Sequence, residues 1–118
     1  MATPVVNEQT TAQYSCSFVD HTGATISDTA ISTLVATLRD VASDQIMNSR
    51  SSQDVLNTNG GTLAAGGGFT LILNQLDNKA LTGVGTNQLR RLTLEVNYTA
   101  GYLSTEFSYI VRALPDVS

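Results

Sequence analysis

From Ala12 onward the chain reads with a period of two. In AQYSCSFVD, Ala12, Tyr14, Cys16 and Phe18 alternate with Gln13, Ser15 and Ser17, the pattern of a strand with one buried face. HTGAT then supplies a turn. SDTAISTLVATLRD fits a helical stripe through Ile31, Leu34, Val35 and Leu38, with Ser27 or Asp28 as its cap. Its β-branched residues and the alternation of Leu34, Ala36 and Leu38 favour a strand instead. DVASD turns the chain into QIMNSR, a short strand expected to pair back as a hairpin.

Further on, Asp54 to Asn57 suggests one turn of helix, TLAA a short edge strand, and GFTLILNQL a strand with Phe69, Leu71 and Leu73 on one face. The pattern is clearest at the end. Arg90, Leu92, Leu94, Val96 and Tyr98 share a face, and beyond a turn at Ala100-Gly101 so do Leu103, Thr105, Phe107, Tyr109 and Val111. These two segments predict an antiparallel hairpin. With about seven strands and no long amphipathic helix, the expected fold is an all-β, Ig-like antiparallel sandwich. Residues 11–118 form its single domain. Met1 to Thr10 is polar and aperiodic, which predicts an arm that is extended or mobile unless something holds it.

Composition narrows the function classes. Charged residues make up 14% of the 118, so Ser, Thr, Asn, Gln and Gly must build much of the surface. Six Lys and Arg stand against ten Asp and Glu, and no basic run offers a phosphate backbone a footprint, so nucleic acid is not an expected partner. The N-terminus lacks the pattern of a secretory signal and no window has the apolar length of a membrane helix, so no membrane association is expected. A single cysteine suits synthesis in a reducing cytoplasm.

Each candidate chemistry has a plainer reading beside it. The glycines of NGGTLAAGGGF lack the Lys and Ser/Thr of a phosphate loop and read as corners between strands. His21 is the only histidine, and Cys16 falls on the apolar side of its strand, where a small buried hydrophobe is the expected role. Asp20, Asp28, Asp40 and Asp44 flank turns, where carboxylates bond their own backbone. Arg90 ends an apolar row and is expected to pack its stem while its head stays wet, or else to anchor a neighbour. No catalytic, metal or cofactor-binding residue emerges.

IMNSRSSQDVLNTNGG, followed by LILNQLDN and a closing hairpin ending YIVRAL, resembles a group of small Ig-like β-sandwich structural proteins of tailed bacteriophages. The likeness runs from about Tyr14 to Leu114, and departs in the loop TGVGTNQLRR and in the lack of the tryptophan associated with the strand FTLIL. It implies a non-enzymatic virion component, a capsid decoration or head-tail junction protein, made in the host cytoplasm and needing no cofactor. Its implied partners are further copies of itself and major capsid, neck or tail subunits. Candidate contacts are Pro4, Val5 and Val6 of the arm, Arg50, Gln53 and Asp54 of the polar segment, and Tyr102 in the final turn. An Ig-like module for host-surface carbohydrate, carried on the tail, is the alternative.

Overall fold

The structure, a computed structural model, describes residues 4–81, 87–99 and 101–113. The strands are β1 (Val5–Asn7), β2 (Ala12–Ser17), β3 (Ile31–Asp40), β4 (Gln45–Ile46), β5 (Gln53–Asp54), β6 (Gly61–Leu63), β7 (Gly68–Leu73), β8 (Asn87–Tyr98) and β9 (Gly101–Arg112). One sheet has the order β1-β9-β8-β3-β4, with β5 also on β3, and the other has the order β2-β7-β6. This is an all-β sandwich of two sheets. The large sheet is mixed, because β1 runs parallel to β9.

Period-two patterning makes the core. Leu34, Ala36 and Leu38 from β3, Phe69, Leu71 and Leu73 from β7, and Leu92, Leu94 and Val96 from β8 are all buried between the sheets. One aromatic pair ties the layers together, Tyr14 of β2 with its ring centre 4.3 Å from that of Phe107 on β9, while Phe18 and Phe69 pack 5.7 Å apart on the inner face of the small sheet. SDTAISTLVATLRD divides between both sequence signals. Ser27 caps a 3-10 turn at Asp28–Ala30, and the rest is β3.

The β4 hairpin forms as expected, with Arg39 opposite Ile46. Asp54 to Asn57 is not helical: Gln53–Asp54 is strand β5, because it finds open backbone positions on β3 at Val35 and Ala36. The β8–β9 hairpin also forms, although Ala100 of its turn lies outside the described residues. The glycines are corners. Gly66 and Gly67 take φ of 91° and 103° in the β6–β7 hairpin, and a Cβ on Gly61 would collide with the Val55 carbonyl oxygen.

The arm departs most from expectation. Val5, Val6 and Asn7 pair with Ile110, Val111 and Arg112, the Ile110 amide donates to the Pro4 carbonyl at 2.9 Å, and the Glu8 amide donates to the Arg112 carbonyl at 2.9 Å. A segment this short shows no period, yet the exposed edge of a long strand offers it ready hydrogen-bond partners. Removing Met1 to Asn7 is therefore expected to cost stability, about 1–3 kcal/mol from the lost bonds and the packing of Val6. A thermal melt of the truncated protein matching that of the full chain would show instead that β1 contributes nothing.

Candidate functional site

The segment between β7 and β8 gathers the polar side chains that the sequence scatters. Asn74 and Asp77 form a turn in which the Asp77 carboxylate accepts from the Asn74 amide at 2.8 Å. Arg50, arriving from the loop after β4, grips the same carboxylate with two bonds, Nε to Oδ1 at 2.6 Å and Nη2 to Oδ2 at 3.0 Å. The remaining donors of Arg50 reach the Gln53 side chain at 2.8 Å and the Asn59 carbonyl at 3.0 Å. Both members of the pair are buried. A planar guanidinium suits such a fork of bonds, and an ammonium would not.

A second pair lies in the same layer. Asp40 ends the inward row of β3, and Arg90, next to Gln88 in the inward row of β8, stands opposite it in register. The Arg90 Nε donates to Asp40 at 3.0 Å, and its Nη atoms donate to the Asp77 carbonyl at 3.1 Å, the Lys79 carbonyl at 2.8 Å and the Gln88 side chain at 2.7 Å. Gln88 in turn bonds both backbone groups of Leu81. The Tyr109 hydroxyl donates to Asn78 at 2.9 Å, and the Asn78 amide nitrogen donates to the Thr10 carbonyl at 2.7 Å. Arg90 thus keeps its head dry, against the sequence expectation, because Asp40 and three further acceptors replace its water.

The electrostatics follow the contacts. Burial would raise the Asp40 carboxyl, but two hydrogen bonds from Ser43 and the neighbouring Arg90 outweigh it and hold the group below its ordinary value. Burial raises the Tyr109 hydroxyl, so it remains a hydrogen-bond donor at neutral pH. Among the described residues every buried side-chain polar atom has a partner. The cluster is saturated, and its chemistry is directed at the chain itself rather than at a ligand.

The outer face of the large sheet is the second polar region. A shallow cavity of about 370 Å³ is lined there by Thr37, Arg39, Arg91, Thr93, Glu95 and Glu106, with Ser51 and Ser52 at its rim. Arg39 and Arg91 stand side by side in register, each with its own exposed carboxylate, Asp44 at 3.0 Å and Glu106 at 3.6 Å. Exposed pairs of this kind contribute little to stability.

The expected site residues separate into three groups. Pro4, Val5 and Val6 belong to the molecule's own large sheet, with the Val5 side chain exposed. Arg50 is buried and fully engaged, so it presents no contact surface; Gln53 is half-buried against it, and Asp54 is exposed on β5. Tyr102 is exposed at the start of β9. Two of the four acidic turn residues bond their own turns as expected, whereas Asp28 accepts from the distant Gly66 amide and Asp44 from the Arg39 side chain. Asp20 accepts from Thr22 and Ala24, its carboxyl lowered mainly by the Thr22 hydroxyl, and Asp40 accepts from Ser43. Cys16 is half-buried beside Tyr14, and burial raises its thiol, the wrong direction for a nucleophile.

Asp40, Asp77, Asn78, Gln88 and Tyr109 did not stand out as a group in the sequence. For Asp40 and Arg90 a signal exists. Each continues an alternating row, Leu34-Ala36-Leu38-Asp40 and Arg90-Leu92-Leu94-Val96, so parity alone sends both side chains inward. Comparison with protein-family models, with curated proteins and with solved structures finds no match to this chain.

Two outcomes test the cluster. Asp77→Asn and Asp40→Asn each leave a buried arginine without its counter-charge and are expected to lower the unfolding free energy by about 3–5 kcal/mol in denaturant titrations. Because the Asp40 carboxyl titrates lower in the folded protein than its ordinary value of about 3.9, its stabilising contribution is present above that value and is lost as pH falls through the folded one. Thermal melts should therefore drop on acidification below about pH 4, with a shallower drop in Asp40→Asn. An equally steep drop in the variant would assign the acid sensitivity to other carboxylates.

Proposed function

We propose that this chain is a non-enzymatic structural subunit of a tailed-phage particle, a capsid decoration or head-tail junction protein that holds neighbouring subunits together. The observation that carries the reading is the meeting of the two segments most like the phage proteins. Arg50 of IMNSRSSQDVLNTNGG is bonded to Asp77 of LILNQLDN through two buried hydrogen bonds. What the likeness tracks is thus one device of the scaffold, a lock between the β4–β6 loop and the β7–β8 segment. Such a lock suits a small sandwich that must keep its shape while its surfaces are pressed against others.

The exposed surface supports the same reading. It is polar but sparsely charged, and among the described residues β6 and much of β9 are open strand edges, the features used when one subunit lends a strand to another. The arm enters this mechanism differently from the sequence expectation. With Val5 to Asn7 already on β9, the bare remainder of β9 is the docking element rather than the arm. A carbohydrate-binding role rests on Tyr102, the only aromatic among the large exposed hydrophobics of the described residues. One ring makes a poor stacking platform, so this reading ranks second.

Mass spectrometry of purified particles, from the phage whose genome encodes the chain, is expected to find it in fixed stoichiometry with the major capsid or tail subunit. Its absence from intact particles would refute the structural role. Retention of the free protein on a glycan surface, abolished by Tyr102→Ala, would favour the second reading.

A further inference from the structure

The outer edge of β9 is only partly used. β1 covers it at Ile110, Val111 and Arg112, and among the described residues no strand lies on that side of Gly101–Tyr109. The contacts with β1 also fix which backbone groups face outward. The Ile110 amide and the Arg112 carbonyl both point to β1. Since backbone groups alternate sides along a strand, Tyr102, Ser104, Glu106 and Ser108 direct their N–H and C=O groups to the open edge. Leu103, Thr105, Phe107 and Tyr109 direct theirs to β8.

A small cavity of about 230 Å³ opens beside this edge, lined by Cys16, Phe18 and Val19 from the facing sheet and by Leu103, Ser104 and Thr105 from β9. Val19, at its mouth, is 52% exposed. The sandwich is therefore open along this side, with unpaired backbone above and apolar surface below. An incoming strand would satisfy both.

We propose that the occupant is a second copy of this chain, its β9 laid antiparallel on the first about a two-fold axis at Thr105. The register follows from the free stretch itself. An axis at Thr105 sets Tyr102 against Ser108 and Ser104 against Glu106 of the second copy, so all four outward-facing residues are paired, and the new strand ends at its Tyr102, just short of Pro4, whose carbonyl already accepts from the Ile110 amide. An axis at Glu106 would oppose two carboxylates and drive Tyr102 against Ile110, whose edge β1 already occupies. An axis at Ser104 would leave Ser108 unpaired.

On the inner face the Thr105 register sets Leu103 against Phe107 and Thr105 against its own copy. Apolar and Thr–Thr pairs of this kind favour a sheet. Phe107 of the second copy then arrives beside the cavity, close to Val19. The two large sheets become one continuous sheet, and the contact is isologous and closed. This contact rests on the shape of β9 and not on the virion role, so a protein that pairs this way yet is missing from particles would keep the dimer and lose the proposed function.

Light scattering coupled to size exclusion, over a range of concentrations, is expected to show a monomer–dimer equilibrium with the mass doubling at the upper end. Ser104→Pro removes one outward N–H without touching the β8 ladder, and it should yield a monomer at every concentration. Cysteine cross-linking in a Cys16→Ser background fixes the register independently. Thr105→Cys should give a disulfide-linked dimer on a non-reducing gel, and Glu106→Cys should not, since its opposite position is Ser104. A full-length protein that stays monomeric throughout would overturn the proposal. So would a dimer cross-linked by Glu106→Cys and not by Thr105→Cys.

Discussion

Arg50 and Asp77 meet in a site from which water is excluded, and this constraint organises one end of the sandwich. Taking both charges out of water costs several kcal/mol each, and the cost is offset only because two short bonds join them and every remaining donor finds an oxygen. The geometry has little tolerance. The loop that carries Arg50 passes through left-handed backbone at Asn48, Ser49 and Ser52, conformations that cost free energy on serine and persist only where the surroundings enforce them. Asp77 supplies that enforcement. The Asn48 side chain also donates to Asp77, so the carboxylate holds the loop at two points.

From Asp77 the constraint spreads along the chain in both directions. Its carbonyl accepts from Arg90, which fixes the end of β8 against the end of β3 through Asp40. The next residue, Asn78, accepts from Tyr109 and donates to the Thr10 carbonyl, and its own carbonyl accepts from the Gln9 amide. One tight segment thus touches β8, β9, the loop before β6 and the chain just after β1. An apolar plug at this end would supply burial without direction. The polar cluster supplies direction, because each bond admits one partner at one angle.

How much of this was legible depends on whether the signal was local. Strands with one buried face declare themselves by parity, and Phe69-Leu71-Leu73 and Leu92-Leu94-Val96 left little room for another assignment. β1 and β5 have three and two residues and carry no period of their own. They exist because β9 and β3 offer unpaired backbone, a fact of the assembled sheet. The arginines misled for a different reason. A charged side chain is ordinarily a surface residue, and Arg50 became a core residue only through an aspartate 27 positions away. Arg90 was read onto the apolar face but with its head in water, and Asp40 was read as a turn residue, although its parity with Leu38 turns it inward.

The same distinction bears on the surface. Residues conspicuous in the sequence, the polar run from Asn48 to Asn57, are spent in large part on internal bonds, whereas β9 reads as an ordinary alternating strand and holds the molecule's longest free edge among the described residues. Polar character is therefore a poor guide to exposure in this segment. Among the described residues, a strand of twelve covered by β1 at three has open groups along most of one side. Its edge bears a single carboxylate, Glu106, and neither proline nor bulge blunts it. Sheets that must avoid company usually carry such devices. On the described part of β9 the ladder runs without interruption from Gly101 to Arg112.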